Sequence, residues 1–355
     1  MNMETWKIIP TGVSGLHLGR HGTDQENSSV LFSSDSLFSA LVASLGMAEG
    51  IEALETFIKP FDEQQPPLVI SSAFPYAGDV RFYPTPLNAL QPTQDKAGGE
   101  SVRAKDLKNI QFVSEGALQA LLDRSRSLAD LLSQEILMPK GFLLLSSELD
   151  RLPEKLREAK EPIYHNDERA RVLVDRISNA SNLFFTGYVH FAQSCGLWFG
   201  VRWLDTSTSA KETFVRMVTY LAENGIGGSR SSGYGQVEIS DWDYVDSQEP
   251  VDREWLLLSR YIPREDETPA LTWANASYRL EEVGGWLQSP GLKAERRKTV
   301  NMVKEGAVLG PLEKMPLGQV VDVQPVYGKN EKPIPHPVYR SGLAFGVGYS
   351  ARSDG

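Results

Sequence analysis

Residues 224–240, NGIGGSRSSGYGQVEIS, hold five glycines, four serines and a single arginine, Arg230. Glycine tolerates positive φ and lets a ligand approach the backbone closely. Arg230, Ser229, Ser231 and Ser232 add donors suited to phosphate and ribose oxygens. Glycine-rich loops that bind nucleotides need a defined order of elements. A dinucleotide fingerprint starting at Gly225-Ile226-Gly227 requires glycine at position 230, where Arg230 stands, and no Lys-Ser/Thr pair closes a P-loop. The helix-like run also precedes this loop and the strand-like run follows it. Its amides therefore cannot cap a following helix as both nucleotide motifs demand. What remains is a G-h-G-x5-G-h-G loop with Gly227, Gly228 and Gly233 shaping backbone, Arg230 for charge, and Tyr234 beside it. Tyr234 either stacks on a base or packs on the sheet; both readings stay open.

Other residues can join such a site. His17, Arg20 and His21 lie together in GLHLGRHG, a loop after the first strand-like run. One of these histidines could serve as the general base of a ribonuclease. With no lysine or second acid evident nearby, an RNA contact is the preferred reading. Ser34 and Asp35 open a helix whose N-terminus could face a phosphate or ribose. In RVLVDRIS, residues 171–178, Arg176 shares a face with Val172 and Val174, so it pairs with a carboxylate or reaches for RNA. The run KAERRKTVNMVK, residues 293–304, is the most basic stretch, either a contact surface or a solvated loop.

Two periodic helices frame these candidates. SSDSLFSALVASLG (33–46) offers Ser33 or Ser34 as cap, an apolar face of Leu37, Phe38, Leu41, Val42 and Leu45, and Gly46 as a stop. SAKETFVRMVTYLAENG (209–225) carries a Ser209/Glu212 capping-box pattern and a face of Phe214, Met217, Val218 and Leu221. TWKIIP, PLVISSAFPYAG, RARVLVDRISNA and GQVEISDWDYV read as strands, and 182–204 as a hairpin. The order is β-α-β-β-α-β, the ferredoxin-like arrangement. Residues 80–112, rich in Pro, Gly and polar residues, read as an inserted loop or hairpin that projects. After a polar stretch at 246–254, strand-like runs dominate. The expected class is α+β: a ferredoxin-like domain over 1–246 and a smaller, β-rich one over 247–355, with the glycine loop in the cleft between them.

The chain has 355 residues, 41% hydrophobic and 23% charged, with net charge −10. An acidic chain is not a free-standing, non-specific nucleic-acid binder, so an RNA site here is a local patch or one completed by partners. The single cysteine, Cys195, forms no disulfide framework or cysteine-based zinc site. No metal or cofactor is expected. The opening MNMETWKIIPTG has no basic-then-apolar signal pattern and no apolar run is of membrane-spanning length, which points to the cytoplasm.

A glycine-rich loop between the second helix and fourth strand of a ferredoxin-like (RRM-like) domain resembles the RAMP superfamily of CRISPR proteins. Within it, GLHLGRHG, SSDSLFSAL, RVLVDRIS, GIGGSRSSGYGQ and HPVYRSGLAF, in that order, resemble the family supplying the fourth subunit of the type III-A (Csm) effector complex. The resemblance implies two RAMP domains and a non-catalytic subunit that grips the 5′ handle of the crRNA. It also implies docking on the large Palm-domain subunit and on a backbone RAMP subunit. In that family a hairpin inserted in the first domain kinks the guide beside the handle; by position, 80–112 corresponds. Related RAMP enzymes process precursor crRNA, which keeps endoribonuclease activity as the alternative.

Overall fold

The computed structural model describes residues 2–19, 28–90, 104–159, 161–174, 181–249, 253–269, 271, 276–287, 295–311, 317–327, 334 and 337–350. In chain order the first part comprises strand β1 (Asn2–Pro10), helices α1 (Ser34–Glu49) and α2 (Ile51–Asp62), and strands β2 (Leu68–Ile70), β3 (Phe74–Ala77) and β4 (Val80–Pro84). Then come α3 (Ala104–Lys108), β5 (Phe112–Ser114), α4 (Glu115–Leu122), α5 (Leu128–Gln134), β6 (Ile136–Met138), β7 (Phe142–Leu144) and α6 (Glu154–Ala159). Two long strands, β8 (Tyr164–Val174) and β9 (Ser181–Phe191), precede β10 (Cys195–Trp203), α7 (Thr208–Asn224) and β11 (Val237–Asp246).

The central sheet runs β11-β1-β10-β3-β4-β5-β7-β6, with β2 also on β10. Its first four strands, β11, β1, β10 and β3, pair antiparallel throughout. Read as fourth, first, third and second of a β-α-β-β-α-β unit, they have the ferredoxin-like order, with α1 and α7 as the two helices. The apolar face of α1 is buried through Leu37, Phe38, Leu41, Val42 and Leu45, each contributing roughly 1.5–3 kcal/mol. On α7, Phe214 packs edge-on against Trp6 and Trp203, ring centroids 5.5 Å apart in both cases.

Several boundaries differ from the sequence reading. Helix α1 continues through Gly46 to Gly50, whose φ of +92° is the left-handed break. Helix α7 is capped by Ser207, whose hydroxyl accepts from the Ala210 amide at 3.4 Å, not by a Ser209/Glu212 box. Segment 182–204 is not a hairpin, because β9 pairs with β8 while β10 enters the central sheet. The ends of the 80–112 insertion do not project either. Strands β4 and β5 pair with each other as buried members of the sheet, and residues 91–103 lie outside the described residues. The element standing apart as a long two-stranded ribbon is β8–β9, paired from Tyr164↔Phe191 to Val174↔Ser181. Its charged sequence suits a ribbon in solvent: residues 165–170 of β8 are exposed on both faces.

Beyond residue 246 the described elements are short strands: β12 (Trp255–Leu257), β13 (Leu280–Val283), β14 (Trp286–Leu287), β15 (Glu295–Arg296), β16 (Val300–Val303), β17 (Val308–Leu309), β18 (Val320–Asp322), β19 (Tyr339–Ser341) and β20 (Gly346–Gly348). They pair as β17-β12-β20, β13-β16, β14-β15 and β18-β19. This part shares the main core: Leu256, Leu258, Leu343, Phe345 and Val347 cluster with Met3, Leu37 and Leu41.

A buried polar seam joins it to the start of α1. Asp35, fully buried, pairs with Arg340 and lies 3.6 Å from the Arg260 Nε. Arg260 also meets Glu305 at 3.6 Å and Glu281 at 3.1 Å. Burial lowers the Arg260 pKa, but Asp35, Glu305 and Glu281 outweigh that and hold it above its ordinary value. The Ser34 hydroxyl accepts from the Arg260 amide at 2.9 Å, and the Ser34 amide donates to the Ser72 hydroxyl at 2.8 Å.

Candidate nucleic-acid interface

Three segments meet at the end of the sheet where β1 finishes and β11 begins. The loop after β1, the glycine-rich loop and the base of the β8–β9 ribbon are joined by backbone hydrogen bonds. Gly228 N donates to His17 O at 2.9 Å and Gly235 N to Gly15 O at 3.0 Å, while Leu16 and Val189 exchange bonds at 2.9 and 2.8 Å. Within the glycine loop, Ile226 N donates to Gly235 O at 2.9 Å, closing it on itself.

The glycines are needed for that closure. Gly225, Gly227, Gly233 and Gly235 all have positive φ, between +75° and +85°. A Cβ on Gly227 would strike the His17 carbonyl oxygen and one on Gly235 the Ile226 carbonyl oxygen. Gly228 has the His17 ring where a side chain would be, 2.7 Å from an ideal Cβ. These glycines thus serve the approach of protein backbone to protein backbone. Between them Ser229, itself at φ +56°, leads into a single 3-10 turn, Arg230–Ser232. That turn faces solvent: Arg230, Ser231 and Ser232 are exposed. The Arg230 guanidinium has one long contact, to the Asn224 carbonyl at 3.5 Å.

Tyr234 is packed inside the protein. It is 1% exposed, with its ring 5.6 Å from that of Tyr188 on β9. The guanidiniums of Arg169 and Arg171 on β8 lie over it at 5.8 and 5.1 Å. Of the two sequence readings, packing is the one realised. Its hydroxyl is buried with no hydrogen-bond partner among the described residues. Arg171 also donates to the Ser232 hydroxyl at 3.3 Å, tying the ribbon to the turn.

His17 is half-buried, its Nδ1 2.5 Å from the Gly187 carbonyl oxygen, an arrangement that makes Nδ1 the protonated nitrogen. The contacts fixing this ring are with Gly187 and Gly228, neither able to relay a proton. Ser34 and Asp35 are not at this surface. Both are buried in the seam and occupied by Arg260, Arg340 and Ser72, because an acidic first turn at a domain junction meets arginines from the other side. Arg20, His21 and Arg176 lie outside the described residues. The glycine loop packs on the loop after β1 and on the ribbon, all before residue 246, and not in a cleft between the two parts.

Sequence reasoning missed Arg169, Tyr188 and His190 as neighbours of the loop. The alternation that puts Arg171 on one face of β8 extends back to Arg169, and Tyr188 and His190 keep the same spacing on β9. The ring of His190 lies edge-on to Tyr188 at 5.3 Å. On the opposite ribbon face Val172, Val174, Leu183 and Phe185 are exposed. The result is an exposed cationic rim of Arg169 and Arg230, backed by Arg171 and His17, on an acidic chain. Among the described residues no group of three or more His, Cys, Asp or Glu is arranged to hold a metal ion. Among them, too, no helix is long and apolar enough to cross a membrane.

Comparison with known proteins agrees with this architecture. Residues 251–349 match the family model of the CRISPR Csm4 C-terminal domain. The CRISPR system Cms protein Csm4 of Thermococcus onnurineus is 25% identical over 325 residues, covering 88% of this chain and 90% of that protein. Its namesake in Methanocaldococcus jannaschii is 24% identical over 341 residues, covering 88% and 86%. Among solved structures, a chain of the Csm3–Csm4 subcomplex in the type III-A CRISPR-Cas interference complex superposes with a TM-score of 0.69 at 19% identity, over 98% of this chain and 100% of that one. A chain of the Csm1–Csm4 cassette in complex with cA4 gives 0.56 at 19% identity, over 99% and 98%. The C-terminal part thus matches the Csm4 C-terminal family model, and the chain is similar along most of its length to two Csm4 proteins and in fold to Csm4 chains of known structure.

Proposed function

We propose that this protein is a non-catalytic, cytoplasmic subunit of a type III-A CRISPR-Cas effector complex, acting in antiviral defence. It grips the 5′ handle of the crRNA and joins the large Palm-domain subunit to the backbone RAMP subunit. The assembly part is supported by its relatives, which occur as Csm3–Csm4 and Csm1–Csm4 assemblies. The RNA part is carried by one observation: the exposed 3-10 turn of Arg230, Ser231 and Ser232 stands beside Arg169 and Arg171 on a rigidly laced support. Arginines and hydroxyls on such a support read phosphate and ribose without reading sequence. The acidic remainder makes this patch weak by itself, so tight retention of RNA requires the partner subunits. In this reading the β8–β9 ribbon, not 80–112, lies along the guide beside the handle.

Arg230→Ala tests the assignment. In complexes reconstituted with the partner subunits, the variant should hold crRNA more weakly, and its salt slope of log K should fall by about 0.7, the loss of one single-stranded phosphate contact. Unchanged crRNA occupancy and slope would reject the loop as an RNA contact. Metal-independent cleavage of a repeat-containing transcript by the pure chain, abolished in His17→Ala, would overturn the non-catalytic part.

A further inference from the structure

Three carboxylates and four cations meet where the C-terminal part closes over α1. Asp35, Glu305 and Glu281 are matched by Arg340, Arg260 and Lys304, the last pairing with Glu281 at 3.2 Å. Arg297 is the cation left over. Its guanidinium donates to the Trp286 carbonyl at 3.3 Å, and among the described residues it forms no ion pair. Its Nε is buried without a hydrogen-bond partner among the described residues. Burial, with the nearby charge of Arg340 and against a smaller opposing pull from Asp35, pushes its pKa down to about 10, so it remains a cation at neutral pH. A half-buried guanidinium in no ion pair, sharing the Asp35 charge with two other arginines, is under-compensated. An anion at that position would relieve it.

Arg297 lines a pocket of about 510 Å³, together with Gly284, Gly285, Trp286, Arg296 and Glu281; this volume falls in the range of small-ligand sites. The Glu281 carboxylate there is engaged by Arg260 and Lys304, and Glu282 stands exposed at the rim. The Trp286 ring is 43% exposed, and the Arg296 guanidinium lies 5.2 Å from its centroid. Gly285 has nothing within 4 Å of where a side chain would start, which leaves that wall open. An inorganic anion would use Arg297 but not the indole, and an apolar ligand the reverse. Only a ligand that is flat at one end and anionic at the other uses both.

We infer that this pocket binds a nucleoside 5′-phosphate, with the phosphate against Arg297 and the base on Trp286 beside Arg296. The site is built on β13–β16, apart from the elements that carry the glycine loop. Its nucleotide is either one residue of the bound RNA, in which case the inference rests on the RNA-gripping reading, or a free mononucleotide, in which case it stands alone.

Adenosine 5′-monophosphate, titrated calorimetrically into the full-length chain up to millimolar concentration, tests this. Saturable binding is expected, weakened roughly tenfold by Trp286→Ala through loss of base stacking and at least as much by Arg297→Gln. Trp286 is on the surface, so its variant keeps the test decisive if Arg297→Gln does not fold. Ultraviolet crosslinking of crRNA to Trp286 in the RNA-loaded complex assigns the nucleotide to RNA, whether or not the free chain binds the monophosphate. Binding that persists undiminished in the loaded complex, without that crosslink, assigns the site to a free mononucleotide. No saturable binding together with no crosslink overturns the inference, as does wild-type binding by Trp286→Ala. Neither result alters the Arg230 salt slope, so the two readings fail separately.

Discussion

Replacing Asp35 by alanine separates a surface contact from an internal tie. In the structure Asp35 is fully buried, and its two arginines, Arg340 and Arg260, have side chains 4% and 8% exposed. Removing the carboxylate does not orphan both. Arg260 keeps Glu281 and Glu305, whereas Arg340 keeps the Gly284 carbonyl and no carboxylate. Burial already lowers the Arg340 pKa, and Asp35 is what works against that. One buried cation losing its partner costs about 3–5 kcal/mol. At about 2–4 °C per kcal/mol for a chain above 150 residues, melting should fall by roughly 6–20 °C. The assay is calorimetric melting with a urea transition alongside to check that the m-value is unchanged. Adding Arg340→Met should recover part of the loss, since the orphaned charge goes with it. A loss under about 1 kcal/mol, or no recovery in the double variant, would refute the reasoning and return Asp35 to the surface.

Gly227 and Gly233 share nearly the same positive φ, but a side chain at Gly227 meets the His17 carbonyl while one at Gly233 meets only the Ser14 hydroxyl at 3.7 Å. Gly233→Asn should therefore be tolerated and Gly227→Asn should lower the melting temperature clearly; equal effects would mean that φ alone matters. Tyr234→Phe removes a buried hydroxyl that has no partner among the described residues and should leave stability unchanged or raised, by up to about 1–3 kcal/mol in urea unfolding; a loss of stability would reveal a partner. Burial pushes the Cys195 thiol up to about 12 against a weaker opposing hydrogen bond from Gly78. Folded protein should resist iodoacetamide at pH 8.5. Because the folded pKa exceeds the unfolded one, the stability this gives is complete below about pH 9 and is lost as pH rises toward 12; a melting temperature flat across that window would contradict it.

The ferredoxin-like unit was legible because each of its helices carries a clear apolar face and the glycine loop follows a helix. The position of Arg230 was legible for the same reason: an arginine between serines in a loop has no apolar neighbour to bury it. Asp35 was misread because a first-turn acid reads identically whether it faces solvent or an arginine some 300 residues away. Tyr234 was undecidable, as its burial depends on Arg169, Arg171 and Tyr188, which the chain brings in from a separate ribbon. The 80–112 segment misled because Val80–Pro84 and Phe112–Ser114, which bound its polar stretch, are themselves buried strands. Polar composition at a tip says nothing of where its stems are anchored.

The seam also sets a timetable for the nascent chain. Asp35 and Arg340 are 305 residues apart, so at about 5–20 residues per second Asp35 leaves the ribosome roughly 15–60 s before its partner. During that interval α1 carries an acidic first turn whose eventual burial cannot begin, and the carboxylate must stay hydrated. Gly200, in the middle of the central sheet, has Met3 and Phe345 together where its side chain would stand, so that face is likewise incompletely covered until Phe345 has been made. Closure is thus a late event dominated by long-range contacts, the slow class of folding step. That leaves a window in which a chaperone reaches the N-terminal part before its own C-terminal part does.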